Sequence, residues 1–180
     1  MSPKPGLLIV CLCLLLPQPV WADTRADRVE LAGDILQVLI PAAGYGATFY
    51  LDDKPGRGQF YRTFLTTTAA TQILKHSTDR TRPNGRTGHS FPSGHTSAAF
   101  QGASFIHRRY GLAWGTPAYL GASFVGYSRL KSNNHHRRDI VGGALIGILP
   151  SLVFVERYEH VQVSPELGED YFGIRLDLRW

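Results

Sequence analysis

Three short stretches of this 180-residue chain hold residues whose types and spacing could do chemistry. In "SRLKSNNHHRRD", Ser128-Arg129 is followed by five residues, His135, three more and Asp139. His135 and Asp139 are four apart, so on a helix they share a face and the carboxylate can orient the ring. In "FPSGHTSAAF", Pro92-Ser93-Gly94-His95 precedes a small apolar run. Ser93 is a good helix N-cap, and Gly94 lets the backbone come close to a ligand. The free N–H groups of a helix start form an anion site, favoured by the helix dipole. His95 stands at its rim, placed to exchange a proton with a bound anion. In "KHSTDRTRP", Lys75 is followed by six residues and then Arg82-Pro83. Three cations, two histidines, a carboxylate and an anion nest suit phosphoryl transfer, because the cations offset transition-state charge without a metal.

These residues need elements to hold them, and the sequence reads as an all-α bundle of about five helices. The helices are expected over about Val29–Tyr50 (with a kink at Pro41), Gln59–His76, Pro92–Tyr110, Thr116–Leu130 and His136–Tyr158. The connectors Asp52–Gly58, Thr78–Ser90 and Lys131–Asn134 are polar and rich in Gly, Pro or Asn. No α/β alternation is present. In the tail, Ile174, Leu176, Leu178 and Trp180 alternate with Arg175, Asp177 and Arg179, a period-two pattern. That pattern raises a small hairpin, His160–Val163 against Tyr171–Trp180, with a disordered tail as the alternative.

Charge is spread unevenly. Lys75 to Asp139 contains ten Lys or Arg against two acids, Asp79 and Asp139, and six of the seven histidines. Such a basic block suits an anionic partner or a solvated positive face. Residues 1–22 have the layout of a secretory signal peptide: Lys4, the apolar run Leu7–Leu16, and a small residue, Ala22, at the cleavage point. An uncleaved anchor is the alternative. Cleavage would leave residues 23–180 as one domain and remove both cysteines, Cys11 and Cys13, with any disulfide or thiolate chemistry.

In order and spacing the three stretches resemble the type 2 phosphatidic acid phosphatase and vanadium haloperoxidase superfamily. The tripartite signature of that superfamily is K-x6-R-P, P-S-G-H and S-R-x5-H-x3-D, and every fixed position is met between Lys75 and Asp139. Only eight residues separate Pro83 from Pro92, which is short for the family and argues against a large cap between these motifs. The resemblance implies that His135 is the nucleophile that takes the phosphoryl group and that Asp139 holds its tautomer. It implies that His95 protonates the leaving oxygen and later activates water. Lys75, Arg82 and Arg129 would clamp the phosphoryl oxygens, helped by Ser93 and the Gly94 N–H. No metal and no cofactor are implied.

Other readings of the same residues are blander. His136 cannot face the same way as His135 on a helix and reads as a surface residue. His76, His89 and His107 are most simply solvated or loop histidines. A zinc site built from His89, His95 and His135 is disfavoured by the crowding of cations and the lack of a second acid. A nucleic-acid-binding module would have no use for the His135–Asp139 pair, and Arg–aromatic interleaving is poor. A haloperoxidase would need retained vanadate and usually a much longer chain. The expectation is therefore a metal-independent phosphatase acting on a phosphomonoester or diphosphate, with a soluble periplasmic acid phosphatase as the alternative.

A lipid substrate and an exported, membrane-associated chain with a periplasm-facing site are favoured. Three uncharged or nearly uncharged stretches, Ile35–Leu51, Gly111–Ser128 and Ile140–Val155, are near the length of a membrane span though rich in Gly, Ser and Pro. The mean hydropathy of -0.11 is low for a polytopic protein.

Overall fold

Asp53 caps a helix that begins just after the preceding one ends at Tyr50, and that corner organises one end of the molecule. Its backbone leaves helical geometry, and its Oδ1 accepts the Gly56 N–H at 2.9 Å, capping a helix that also carries Pro55 in its first turn. The computed structural model describes residues 25–86, 88–158, 161–167 and 172–178; the expected signal peptide, 1–22, lies outside them. Among the described residues there are five helices: α1 (Arg25–Tyr50), α2 (Lys54–Ser77), α3 (Gly94–Tyr110), α4 (Leu112–Lys131) and α5 (Arg137–Phe154). The all-α class holds. α1 starts four residues earlier than expected and stays helical through Pro41, and α5 stops at Phe154, short of Tyr158.

Local chemistry explains the boundaries. Ser93 caps α3, its Oγ accepting from Thr96 N at 3.4 Å. Gly111, at φ +94°, breaks α3 from α4, and its N–H closes on His107 O at 2.9 Å. His136 caps α5 through a capping box in which the Asp139 carboxylate accepts the His136 N–H at 2.9 Å.

α3 is the central helix and packs against all four others. Small residues let it do so. A Cβ on Gly102 would lie 2.6 Å from the Pro41 backbone, so only glycine allows α1 and α3 to cross this closely. One apolar cluster joins Ile40, Ala99, Ala103, Ala122 and Val125, and a second joins Phe60, Phe105 and Val155.

Much of the interior is polar. Thr63, Thr67, Thr71, Ser97, Gln101 and Ser104 are buried, and they bond across helices: Gln101 Nε2 to Thr63 Oγ1 at 2.9 Å, Thr71 Oγ1 to Ser97 Oγ at 3.0 Å. The outside is correspondingly apolar, with Leu31, Val38, Leu65, Trp114, Leu120 and Val153 among many large side chains left exposed. Among the described residues no helix is long and apolar enough to cross a membrane.

At the end away from the signature residues, Arg109 donates to both carboxylate oxygens of buried Asp53, and Tyr110 Oη donates to Oδ2 at 3.1 Å. A third guanidinium bond reaches Glu156 O at 2.9 Å. This pair pins the α1–α2 corner to α3 and to the segment after α5. The Arg109 charge and hydrogen bonds lower the Asp53 pKa against the opposing effect of burial. Breaking such a buried pair by removing one partner costs about 3–5 kcal/mol, since the other charge is stranded.

After α5 the chain runs into β1 (Val161–Leu167) and β2 (Phe172–Leu178), antiparallel with Val161 opposite Leu178 and Leu167 opposite Phe172. The strand bounds differ from those expected, because β1 continues through Ser164-Pro165-Glu166-Leu167, which reads in sequence as a turn. The strands stand apart from the helical fold that carries the site.

Candidate active site

Up-and-down connectivity brings one end of every helix to the same place. The N-termini of α3 and α5 point into it, adding the positive ends of two helix dipoles, while the C-terminal turns of α2 and α4 deliver Lys75 and Arg129. All eight residues expected from the sequence stand on these helix ends or on the connectors between them.

His135, just ahead of α5, is 4% exposed on its side chain, and its Nδ1 stands 3.6 Å from Asp139 Oδ2. That is ion-pair range, a little long for a hydrogen bond. Asp139 is fully buried and closely held: Oδ2 accepts Ser90 Oγ at 2.6 Å and His136 N at 2.9 Å, and Arg80 Nη1 lies 3.8 Å from Oδ1. Burial alone would raise its pKa, but the Ser90 and His136 hydrogen bonds and the nearby positive charge lower it, so Asp139 remains a carboxylate. Burial, then the charges of Lys75 and Arg82, lower His135 to about 4, which leaves a neutral imidazole at physiological pH. A neutral ring has a lone pair to give.

Lys75 is the link between the two histidines. Its charge depresses both His135 and His95, and its own pKa is lowered by burial and by Arg82. Its Nζ donates to His89 O at 3.0 Å, and its Cε lies 3.6 Å from where a Cβ on Gly94 would be. Arg129 is buried, donating through Nη2 to Glu30 O at 2.7 Å and through Nε to Ser128 Oγ at 3.1 Å. Ser93 is wholly buried, its hydroxyl turned to Thr96 and its N–H given to Asp139 O at 2.9 Å. Its contribution is thus to fix the start of α3 against α5.

His95 Nε2 lies 3.1 Å from Asp34 Oδ1. Burial, then the Arg129 charge, lower its pKa, with Asp34 acting the other way.

The blander histidines also find their places. His136 is a cap, and its Nε2 reaches Thr81 O at 3.2 Å, so it is a structural residue more than a surface one. His89 sits at φ +57° in the loop, its Nδ1 2.6 Å from Lys75 O. Four contributors were not read from the sequence: Arg80, Ser90, Glu30 and Asp34. Glu30 and Asp34 had left a signal, since two acids four apart on an otherwise apolar stretch of α1 mark one face. A cavity of about 730 Å³ lies at the far end among Leu39, Ile106, Trp114 and Tyr158 and touches none of the signature residues. A smaller one, about 210 Å³, opens beside Gly94 between α2 and α3, walled by Phe64, Thr67, Thr71, Ser97 and Ala98.

Comparison with known proteins agrees with this geometry. The family model of the PAP2 superfamily matches residues 84–160. A lipid A 1-phosphatase of Porphyromonas gingivalis is 42% identical over 78 residues, 42% of this chain and 18% of that protein. The bacitracin transport permease protein BcrC of Bacillus licheniformis is 32% identical over 95 residues, 51% of this chain and 40% of that protein. The matches thus span well under half the length of these curated relatives. The crystal structure of Aquifex aeolicus LpxE shares the fold, with a TM-score of 0.54 at 22% identity over 71% of this chain and 92% of that one. With the full signature in place on an all-α fold, the chain is similar to the PAP2 superfamily over residues 84–160.

Proposed function

We propose that this protein is a phosphatase that removes a phosphoryl group from a lipid phosphate or diphosphate through a phosphohistidine on His135, without a metal. The observation that carries the reading is a neutral, buried histidine paired with a carboxylate, with Lys75 and Arg82 close enough to hold it neutral. Asp139 beside Nδ1 leaves Nε2 as the attacking nitrogen, and the 3.6 Å contact is of a kind that tightens when substrate is bound. As the P–N bond forms and the P–O bond breaks, Lys75, Arg82, Arg129 and the α3 N-terminus take up the charge on the phosphoryl oxygens. His95 gives its proton to the leaving oxygen. It then takes a proton from water as that water attacks phosphorus and frees His135.

A lipid substrate is supported by the surface. A chain that buries threonines and glutamine while exposing Leu31, Leu65, Trp114 and Val153 is arranged for an apolar surrounding, and large exposed apolar areas mark interaction or membrane surfaces. We place the protein in an exported, membrane-associated setting, its helical surface against lipid. The 210 Å³ cavity beside Gly94, with Phe64 and Ala98 in its wall, offers an apolar approach to the phosphoryl site.

Detergent-purified protein should hydrolyse short-chain phosphatidic acid with a higher kcat/KM than p-nitrophenyl phosphate or a sugar phosphate, and a chelator should change neither rate. Equal or better turnover of the soluble esters, by protein that stays soluble without detergent, would favour a periplasmic acid phosphatase instead. Activity lost in chelator and restored by zinc would overturn the metal-free scheme.

A further inference from the structure

Asp34 enters the site from α1, outside all three signature stretches. Its Oδ1 lies 3.1 Å from His95 Nε2 and 2.9 Å from Arg129 Nη1. It therefore meets the proton donor and one member of the cationic clamp at once. The approach depends on the residue before it: a Cβ on Gly33 would fall 2.0 Å from Ser128 Oγ and 2.9 Å from Arg129 Nη2, so any side chain there would push α1 off the site. Arg129 is held from the same helix by Glu30 O at 2.7 Å.

We propose that Asp34 is a positioning residue for the transfer: it holds His95 through Nε2, turns Nδ1 toward the leaving oxygen, and braces Arg129 for the phosphoryl oxygens. The proposal rests on the phosphatase reading above. In the protonated ring Nε2–H stays on Asp34 while Nδ1–H passes to the leaving oxygen as the P–O bond breaks. The neutral ring then keeps its Nε2–H, and Nδ1 takes the proton of the attacking water. The site thus holds two carboxylate–histidine pairs, one for the nucleophile and one for the acid.

The groups facing His95 are Asp34 from α1, Arg129 from α4 and Lys75 from α2. Burial and the two cations favour the neutral ring, and Asp34 opposes them. Without the Asp34 charge His95 would lose its proton at lower pH. Since the acid must be protonated to act, the alkaline limb of kcat/KM should move to lower pH.

The test is Asp34→Asn in the full chain, with its fold checked by circular dichroism, on phenyl phosphate, p-nitrophenyl phosphate and short-chain phosphatidic acid. The expected result is a loss of roughly 10² on the poorly leaving phenyl ester, a much smaller loss on the p-nitrophenyl ester, and an alkaline limb moved acidward. Equal losses on both esters with an unmoved limb would overturn the proposal. A gain in activity or tighter inhibition by inorganic phosphate would do so too, showing Asp34 to be a stand-in anion. Should Asp34→Asn fail to fold, Asp34→Glu decides: a loss biased toward the poor leaving group supports the proposal, and a uniform loss overturns it. Wild-type protein inactive on all three substrates sinks the phosphatase reading and this inference with it. An active wild type with an unbiased variant sinks the inference alone.

Discussion

His135→Ala is expected to remove turnover altogether, a loss of roughly 10⁴ or more, because the step it performs has no substitute among its neighbours. Lys75 and Arg82 face the same ring, but they are cations whose presence keeps His135 neutral, and neither is a nucleophile there. The pH behaviour follows from the same causes. With His135 lowered to about 4, the attacking lone pair is present above that value, and kcat/KM should fall only as pH drops through about 4. The same shift bears on stability. A folded-state pKa below the unfolded value means the unfolded chain binds the proton more readily, so stability falls as pH drops from the ordinary histidine range toward about 4. The side chain is buried, so the alanine leaves a gap. Added imidazole that restores part of the turnover would show that the ring was missing and not the fold.

Asp139→Asn should lose about 10² or more in kcat while KM changes little. The amide oxygen can still accept from Ser90 Oγ or the His136 N–H, so the start of α5 should survive and the melting temperature should fall only modestly. What disappears is the negative charge 3.6 Å from His135 Nδ1, which favours the imidazolium-like phosphohistidine and fixes the ring tautomer. If the variant unfolds, Asp139 was chiefly a helix cap. If it folds and keeps wild-type kcat, the pair is not catalytic.

These two residues were legible in sequence because their roles are local. His135 stands ahead of the His136 cap and so meets Asp139 across the capping box, not along a helix face. That box and the Ser93 cap beside a glycine are set by a few neighbouring residues, which is why the 75–139 signature marked His135, Asp139, Ser93 and Gly94. Lys75, Arg82 and Arg129 were legible through the resemblance, not through their spacing. The contribution of α1 was not legible, because Asp34 meets His95 across 61 positions of chain, and only the crossing at Gly102 and Gly33 sets that distance. His136 was misread for a related reason: capping α5 and reaching Thr81 O give it structural work that a reading as a surface residue does not suggest. Among the described residues the five expected helices are present, while the end of α5 differs from the one expected. Val155 leaves helical geometry, and Tyr158 N is drawn instead to Arg109 O at 2.7 Å, a contact between distant parts of the chain.

The central claim is that the phosphoryl group passes through His135, and trapping it there is the most direct test. In His95→Ala the base that activates water is gone, so a substrate with a good leaving group should load the enzyme faster than water clears it. Rapid quenching of that variant with labelled p-nitrophenyl phosphate, followed by peptide mass analysis, should find one phosphoryl group per chain. It should be acid-labile, base-stable, located on His135, and absent from the His135→Ala, His95→Ala double variant. Label on another residue, or steady turnover by the active wild type with no enzyme-bound phosphoryl group in either protein, would contradict it.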